Sequence, residues 1–300
     1  MPNSYRAKVP LKALLRINLT YFFRHGRLPK LATPDKFTEL VQRRKLRDRN
    51  PLYPVLADKL MVKKIVADQI GDEWITPTLW SGTRLPEKPL WPYPFVVKAR
   101  HGCNQIAFVT SPDDDWPKIK STAEAWLGKV YGRWLDEWVY KHIPHGILVE
   151  PFIGQSNVVP VDYKFYVFNG EVAFIQVHLD REHNHRWILF DRHWRRVSAA
   201  TDDGDPTPPG SLKSMIAAAE KLGDNIDFVR VDLYEANGLP VFGELTFYPG
   251  SGLDPFNPVS LDKIIGEQWL KAADELTGKR PLVQFAPPTA CPEQNMAATT

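Results

Sequence analysis

Two segments that alternate apolar and polar residues constrain the fold of this chain more than any other part of its sequence. Residues 228–234 and 239–247 both have the period of a β-strand, and Asn237-Gly238 between them is typical of a two-residue hairpin turn. Side chains two positions apart lie on the same face of a strand, so each strand carries a polar pair on one face. These residues are Arg230, Asp232, Glu244 and Thr246. If the hairpin closes at this turn, a cation, two carboxylates and a hydroxyl can share one small volume.

The four polar side chains suit a site for a metal ion and phosphates. Mg²⁺ prefers a few hard oxygen ligands together with waters and substrate phosphates, and carboxylates supply such oxygens. A neighbouring arginine suits a negative charge that develops during a reaction. For two carboxylates and one arginine alone, a solvated hairpin face with ordinary salt bridges is an equal alternative. Residues 247–252, Phe-Tyr-Pro-Gly-Ser-Gly, favour the binding site because small residues let a ligand approach backbone amides.

The pattern Arg-x-Asp followed by Glu-x-Thr and Pro-Gly resembles the metal-binding end of ATP-grasp enzymes. Its form here is similar to the TupA-like branch of that superfamily, which is named for teichuronopeptide biosynthesis. ATP-grasp enzymes typically activate a carboxylate as an acylphosphate and pass it to an amine or another nucleophile. The resemblance implies that Asp232 and Glu244 bind Mg²⁺ and that Arg230 lies by the transferred phosphate and the acyl oxyanion. Thr246 stands where many members have an asparagine metal ligand, so its hydroxyl is a candidate ligand of a second metal ion.

A buried strand with a lysine near its end predicts a phosphate-binding loop. Residues 94–110 have the pattern strand, loop, strand, with the loop at 101–105. This order can lay a cation, Lys98, and backbone amides over phosphates. A lysine whose ammonium simply reaches water at the end of an apolar strand is the alternative. The loop has a single glycine, Gly102, and His101 before it is a further candidate phosphate contact.

The segment at residues 146–153 is predicted to be a strand that leads into a hinge. The resemblance implies that Glu150 and the backbone of Pro151, Phe152 and Ile153 meet the adenine of the nucleotide. An extended backbone offers both a donor and an acceptor to the adenine edge, and Phe152 or Ile153 can pack near its ring.

Two more lysines and an arginine are candidate site residues. Residues 58–70 are predicted to be a helix, and its pattern Asp-Lys-x-x-x-Lys resembles the entrance to the ATP-grasp nucleotide lobe, which implies that Lys59 contacts the nucleotide. Residues 161–170 alternate, and the resemblance implies that Lys164 contacts a phosphate or the substrate; a cross-strand surface pair is the alternative. Arg181 follows a strand, and we expect it to grip the acceptor or the γ-phosphate. The pattern His183-x-His185 could hold a transition metal, but no third ligand has a convincing spacing.

The composition excludes several classes of protein. The 300 residues carry a net charge of +3, which is too small to argue for nucleic-acid binding. Two cysteines, Cys103 and Cys291, imply neither a disulfide framework nor a cysteine zinc site and favour a reducing compartment. No apolar run reaches the length of a membrane span, and the first residues lack the pattern of a secretory signal. We therefore expect a cytoplasmic protein without a transmembrane segment.

The segment at residues 4–50 is strongly basic and is predicted to form two helices. The first, at 11–23, has an apolar side made of Leu11, Leu14, Leu15, Leu19, Phe22 and Phe23. The second begins after Thr33-Pro34, with Phe37, Leu40 and Val41 inward and Arg43, Arg44 and Arg47 outward. This basic surface could bind phosphates, an anionic saccharide or a membrane face, whereas a solvated helix face packed on the main body is the favoured alternative.

The candidate motifs occur in the order of the ATP-grasp family over roughly residues 33–275. The resemblance therefore implies an α+β protein with the ATP-grasp fold, in which two α+β lobes clamp Mg-ATP between their sheets. We expect a basic helical extension at 1–57, a nucleotide lobe at 58–150, a catalytic and metal-binding lobe at 151–284 and a disordered tail at 285–300.

The implied function is that of an ATP-dependent carboxylate–amine ligase that releases ADP and forms an amide through an acylphosphate. ATP and Mg²⁺ are the expected cofactors, with Arg230, Lys164 and Arg181 as the catalytic candidates. The expected substrates are a small carboxylate and an amine, one of them linked to a saccharide, in the decoration of a surface polysaccharide or related conjugate. An ATP-dependent kinase of a sugar or small molecule, a glycosyltransferase and a nucleotide-binding adaptor are the alternatives.

Overall fold

The computed structural model describes residues 9–154, 158–179, 186–200 and 204–278. Arg181, the His183 and His185 pair and the predicted tail lie outside these residues. The helices are α1 (Leu11–His25), α2 (Phe37–Arg47), α3 (Leu52–Ala57), α4 (Met61–Ile70), α5 (Trp116–Trp126), α6 (Leu212–Leu222) and α7 (Ser260–Gly278). The strands are β1 (Trp80–Gly82), β2 (Phe95–Ala99), β3 (Ile106–Val109), β4 (Ile147–Pro151), β5 (Asp162–Phe168), β6 (Glu171–Leu179), β7 (Arg186–Asp191), β8 (Val229–Ala236) and β9 (Leu239–Thr246).

The first sheet has four antiparallel strands in the order β1-β4-β2-β3. One face is apolar: Phe95 and Val97 of β2 and Val149 of β4 pack against Trp116 and Trp126 of α5. Because side chains alternate along a strand, the neighbouring positions lie on the opposite face. The side chains of Lys98 and Glu150 therefore lie on the face of the sheet that α5 does not cover.

The second sheet has five antiparallel strands in the order β7-β6-β5-β8-β9. Its central strand, β5, is buried along its whole length, because both faces of the sheet are covered. Val167 packs against Gly223 at the end of α6, where an added Cβ would lie 2.4 Å from the valine. On the other face the Tyr166 ring lies 5.5 Å from the ring of Phe37 in α2. Asp162 and Lys164 lie on the same face of β5 as Tyr166, at the end of the strand away from Phe37.

The hairpin of β8 and β9 closes at the predicted turn. Asn237 and Gly238 have φ values of 53° and 74°, the left-handed pair that a tight hairpin turn of this kind requires. A bulge follows, since Asp232 is paired with Glu244 but Leu233 with Phe242, which leaves Gly243 without a partner. The extra residue lets Phe242 pack in the core while Glu244 faces the same side as Asp232.

The apolar spacing of residues 122–140, which include Trp126, Trp134 and Trp138, predicts an amphipathic helix, and this prediction is wrong over most of its length. The chain is helical only to Trp126, and a short 3-10 helix forms at Trp138–His142. Between them Gly132 and Asp136 have positive φ values of 70° and 58°, which an α-helix cannot contain. Strand β7 and helix α3 were not predicted.

Helix α2 is buried on nearly all sides, which corrects the prediction that Arg44 points outward. Arg44 donates to the backbone oxygen of Phe228 at 2.8 Å and contacts the Asp227 carboxylate. Gln42 donates to the carbonyl of Ser251 at 2.8 Å, and Lys45 Nζ donates to the same carbonyl at 3.0 Å. The helix therefore supports both the start of β8 and the loop after β9.

Helix α1 has the predicted apolar side, but most of that side faces solvent. Five of its six residues are exposed: Leu11, Leu15, Leu19, Phe22 and Phe23. The buried residues are Ala13, Ile17 and Tyr21, which face the main body. Among the described residues, no helix combines the length and apolar character that crossing a bilayer needs.

Candidate active site

Polar side chains of the second sheet form one row across three neighbouring strands. Lys164 of β5 is in register with Asp232 of β8, which is in register with Glu244 of β9. Lys164 Nζ lies 2.5 Å from Asp232 Oδ2 and 2.6 Å from Asp162 Oδ2. Lys164, Asp162 and Asp232 are buried, so their charges must be compensated inside the protein.

Arg230 binds the same carboxylate at two points. Its Nε and Nη2 atoms both lie 2.7 Å from the oxygens of Asp232, the planar arrangement that gives strong and directional contacts. Nη2 also donates to Thr246 Oγ1 at 3.2 Å. Burial alone would lower the pKa of Arg230, but the attraction of Asp232 outweighs burial and raises that pKa.

Glu244 is the most accessible carboxylate of this group, with 28% of its side chain exposed. Its Oε1 accepts from the Thr246 hydroxyl at 3.2 Å, and Lys59 Nζ lies 3.2 Å from its Oε2. Burial opposes ionisation of this side chain, but the charges of Lys59, Lys164 and Arg230 lower its pKa to about 2. Glu244 is therefore an anion throughout the neutral range, as a metal ligand has to be.

A second cluster lies on the first sheet around Glu150. The carboxylate accepts from Lys63 Nζ at 2.5 Å and from Lys98 Nζ at 2.8 Å. Burial favours the neutral form of Glu150, but the two lysines outweigh it and lower its pKa. Burial also lowers the pKa of Lys63, against the attraction of Glu150. Lys63 was not predicted as a site residue, although the pattern Asp-Lys-x-x-x-Lys contains it.

Lys59 connects the two sheets. Its ammonium donates to the backbone oxygen of Gly102, in the loop after β2, at 2.8 Å and also contacts Glu244 of β9. The segment before it is fixed by Asp58, whose oxygens accept from Arg100 Nε and Nη2 at 2.8 and 2.6 Å. Glu244 raises the pKa of Lys59 against the effect of burial. Lys59 is therefore held, as a cation, between the predicted phosphate loop and the predicted metal ligands.

The side chain of His101 does not join this cluster, which corrects its prediction as a phosphate contact. The ring is fully buried and stacks on His145 with 3.9 Å between ring centres. Its Nε2 lies 3.2 Å from the carbonyl of Trp126, at the end of α5. Burial lowers the pKa of His101, so a neutral ring is favoured there. Only the neighbouring Gly102, through its backbone, takes part in the contacts with Lys59.

The predicted adenine-binding segment has few free hydrogen-bond donors. Pro151 has no backbone N–H, and the N–H of Phe152 donates to the carbonyl of Pro94 at 3.1 Å. Of the three residues after Glu150, Ile153 is thus the one whose N–H is available to a ligand. The Phe152 ring packs edge-on against Phe108, 5.8 Å away.

The donor set of the second sheet fits Mg²⁺ held together with phosphates. In the described part of the chain, no group of three or more His, Cys, Asp or Glu side chains could hold a metal ion. Two carboxylates, Asp232 and Glu244, and the Thr246 hydroxyl are few ligands for a cation bound by protein alone. Mg²⁺ commonly takes one or two carboxylates and completes its shell with waters and substrate phosphates.

A comparison with models of known protein families identifies the family of this chain. A family model described as TupA-like ATPgrasp matches residues 39–270, more than half of the sequence. The chain belongs to the TupA-like ATP-grasp family. The α+β class and the ATP-grasp fold expected from the sequence are thereby confirmed, with two antiparallel sheets. An ATP-grasp domain is typical of ATP-dependent enzymes of the ligase type.

Several solved structures are similar to this TupA-like chain. One is D-alanine–D-alanine ligase from Bacillus anthracis complexed with ATP, at 14% identity and a TM-score of 0.44, covering 74% of this chain and 66% of that chain. Others are the ATP-grasp ligase PsnB complexed with minimal precursor, at 11% identity and a TM-score of 0.42, and VanG D-Ala:D-Ser ligase from Enterococcus faecalis, at 12% and 0.42. For both structures the match covers 74% of this chain and 62% of the solved chain. This chain thus spans less than two thirds of the length of the three structures, and no curated protein matches it.

Proposed function

We propose that this chain is an ADP-forming, ATP-dependent carboxylate–amine ligase that makes an amide through an acylphosphate. One observation carries the proposal. In a member of the ATP-grasp family, Lys59 contacts both the backbone of the loop after β2 and Glu244 of β9, so one ammonium group joins that loop to the polar row of the second sheet. A cation in this position suits a nucleotide whose phosphates lie between the sheets.

The first sheet would hold the nucleotide. Lys98 and Lys63 supply two ammonium groups for the phosphates, and Glu150 holds both in place. The N–H of Ile153 and the backbone carbonyls of residues 151–153 are the groups that would meet the adenine edge. Lysine is a strong phosphate ligand because its charge is compact and its three donors can rotate.

The second sheet would hold the metal and the reacting groups. Asp232, Glu244 and Thr246 are the proposed ligands of Mg²⁺, which would supply neutralising charge next to the transferred phosphoryl group. The same carboxylates are paired with Lys164 and Lys59, so these two ammonium groups lie beside the proposed metal ligands and would be available to phosphates bound there.

The proposed reaction has two steps. An oxygen of the substrate carboxylate attacks the γ-phosphorus, the bond to the β,γ-bridging oxygen breaks, and ADP leaves with the electron pair. The amine nitrogen then attacks the acyl carbon, phosphate leaves, and the amine proton passes to water. Arg230 stabilises the oxyanion of the acyl intermediate, and Arg181 is proposed to hold the acceptor or the γ-phosphate. We propose a saccharide-linked carboxylate or amine as substrate, on the resemblance of the β8–β9 motif to the TupA-like branch.

ADP release tests the proposal. The purified chain with ATP and Mg²⁺ is screened against uronic acids, amino acids and their pairwise mixtures. A ligase releases ADP when a carboxylate and an amine are both present, and mass spectrometry of the mixture shows an amide. Glu244→Gln is expected to lower the rate about 100-fold or more, because the substitution removes a proposed metal ligand. Glu267→Gln, the same change at an exposed position of α7, is the matched control.

Each other function predicts a different pattern in the same screen. A kinase gives a stable phosphorylated product from one acceptor. A glycosyltransferase consumes a sugar nucleotide and leaves ATP intact, and an adaptor binds ATP without releasing ADP in any mixture. Full turnover in the Glu244→Gln variant would refute the metal assignment.

A further inference from the structure

The exposed side of α1 is a large apolar surface of the described residues that the proposed function does not use. Five large apolar side chains are exposed by 69, 55, 57, 47 and 82%: Leu11, Leu15, Leu19, Phe22 and Phe23. With 3.6 residues per turn, the five positions fall within an arc of about 120°. They form an apolar stripe, which we call the α1 stripe, and the exposed Lys12 lies within its arc at the first turn. A soluble surface rarely leaves such a patch without a partner.

The helix is fixed to the protein on its opposite side. Ala13 and Ile17 pack with Leu46 of α2, and the Tyr21 hydroxyl lies 2.8 Å from Thr38 Oγ1. Near the end of α1, Arg24 Nε donates to the carbonyl of Leu253 at 2.9 Å. The α1 stripe is thus presented by a helix that is already packed and cannot turn to bury it without breaking these contacts.

The charge around the stripe indicates what covers it. Residues 1–34 contain seven lysines and arginines and no aspartate or glutamate; three of the seven, Arg16, Arg27 and Lys30, pair with acids of the main body. The chain has 38 basic and 35 acidic residues, so the remaining residues have 31 against 35 and a net charge of −4. A second copy of this chain placed on the stripe would bring like charges together. An anionic surface would be attracted.

An exposed tryptophan lies on one flank of α1. Trp134 is 71% exposed, and the guanidinium carbon of Arg16 lies 5.8 Å from its ring centre. Arg16 also contacts Asp136, which fixes this segment beside the helix. Tryptophan is enriched where proteins meet the headgroup region of a bilayer, since its ring is apolar and its N–H is polar.

We propose that the α1 stripe inserts into the headgroup region of an anionic phospholipid bilayer, with the helix axis parallel to the membrane. The 15 residues of α1 span only about 22 Å, too short to cross a hydrocarbon core. An amphipathic helix with apolar residues on one side and basic residues around them is typical of such interfacial binding.

Vesicle co-sedimentation of the full chain tests this proposal. The vesicles are phosphatidylcholine alone or phosphatidylcholine with about one third phosphatidylserine, at low and high salt. The protein is expected to bind the anionic vesicles and to be released by salt. The double variant Phe22→Ser, Phe23→Ser is expected to bind about tenfold more weakly or worse, because two exposed rings no longer enter the bilayer.

A matched control removes apolar surface elsewhere. Leu90→Ser with Leu239→Ser changes two leucines that are exposed by 75 and 68% outside α1, and this variant should bind like the wild type. All four substituted side chains are exposed, so thermal unfolding midpoints should not change. The proposal is overturned if the wild type ignores anionic vesicles, if it binds neutral vesicles equally well, or if the double variant binds as tightly as the wild type. A wild-type dimer that the double variant makes monomeric would also overturn it, since a second copy would then cover the stripe.

Discussion

Replacing Arg44 should cost the protein a large part of its stability. The side chain is 2% exposed, its Nη1 lies 2.8 Å from the Phe228 carbonyl, and its Nη2 contacts Asp227. Its guanidinium carbon lies 4.2 Å from the ring centre of Trp269, which itself donates to Asp227 at 2.9 Å. Arg44→Met leaves Asp227 buried without its cation, and breaking a buried pair in this way costs about 3–5 kcal/mol. Typical domains are stable by about 5–15 kcal/mol, so the loss should be easy to measure.

Equilibrium urea unfolding, followed by tryptophan fluorescence, measures this effect. In a double-mutant cycle with Asp227→Asn, the double variant should lose about 2 kcal/mol less than the sum of the single variants, because the second change removes the unpaired charge. Arg47→Met, at an exposed position of the same helix, should change the free energy of unfolding by about 0.5 kcal/mol or less. A loss below about 1 kcal/mol for Arg44→Met, or a coupling energy near zero, would refute the reasoning.

Three further changes test other parts of the molecule. Lys59→Met should lower kcat/KM for ADP release about 100-fold, because the substitution removes the cation between the two sheets. The control is Lys64→Met, at an exposed position of the helix that follows Lys59, which should leave kcat/KM unchanged. Equal kcat/KM values in the two variants would contradict the assignment of Lys59. Burial raises the pKa of Glu137 from 4.5 to about 7, against the attraction of Lys45, so the folded protein binds this proton more tightly than the unfolded chain. The resulting stability is complete below pH 4.5 and is lost as the pH rises to about 7. Over that range the free energy of unfolding of the wild type should fall by about 1–3 kcal/mol more than that of Glu137→Gln. Urea titrations at several pH values measure both, and the same pH dependence in the two proteins would contradict the prediction. Gly243→Ala should destabilise the protein by about 1–3 kcal/mol, because the new Cβ would lie 2.9 Å from the Asp232 carbonyl oxygen. The control is Gly128→Ala, whose new Cβ would have its nearest neighbour at 3.8 Å. Equal melting temperatures of the two variants would refute this prediction.

Features that depend on neighbours in sequence could be predicted. The turn at Asn237-Gly238 and the alternation on either side define the β8–β9 hairpin and put Arg230 and Asp232 on one face. The register of the turn alone would place Glu244 opposite Val231, and the bulge at Gly243 brings it to the face of Asp232. The strand and loop around Lys98 are local in the same way. The bulge at Gly243 was not predicted, because the alternation of β9 does not show which of its two faces packs in the core.

Features that depend on distant partners could not be predicted in the same way. Periodicity shows which residues of α1 share a side but not which side the protein covers, so Phe22 and Phe23 were grouped correctly and their exposure was not foreseen. Arg44 has the appearance of a surface residue until Asp227, 183 positions later, supplies its partner. His101 follows a strand that carries a site lysine, but the ring stacks on His145, which no local pattern relates to it.

The contacts of α2 also determine when the protein can finish folding. Gln42 and its acceptor Ser251 are 209 positions apart, so the helix leaves the ribosome long before the groups that satisfy it have been made. Contacts between such distant parts of a chain form slowly, because a long loop must close first. A nascent chain that stops before the loop at residues 249–252 keeps Gln42 and Lys45 without their acceptors. Helix α2 and the loop after β9 must therefore both be present before these buried donors are satisfied.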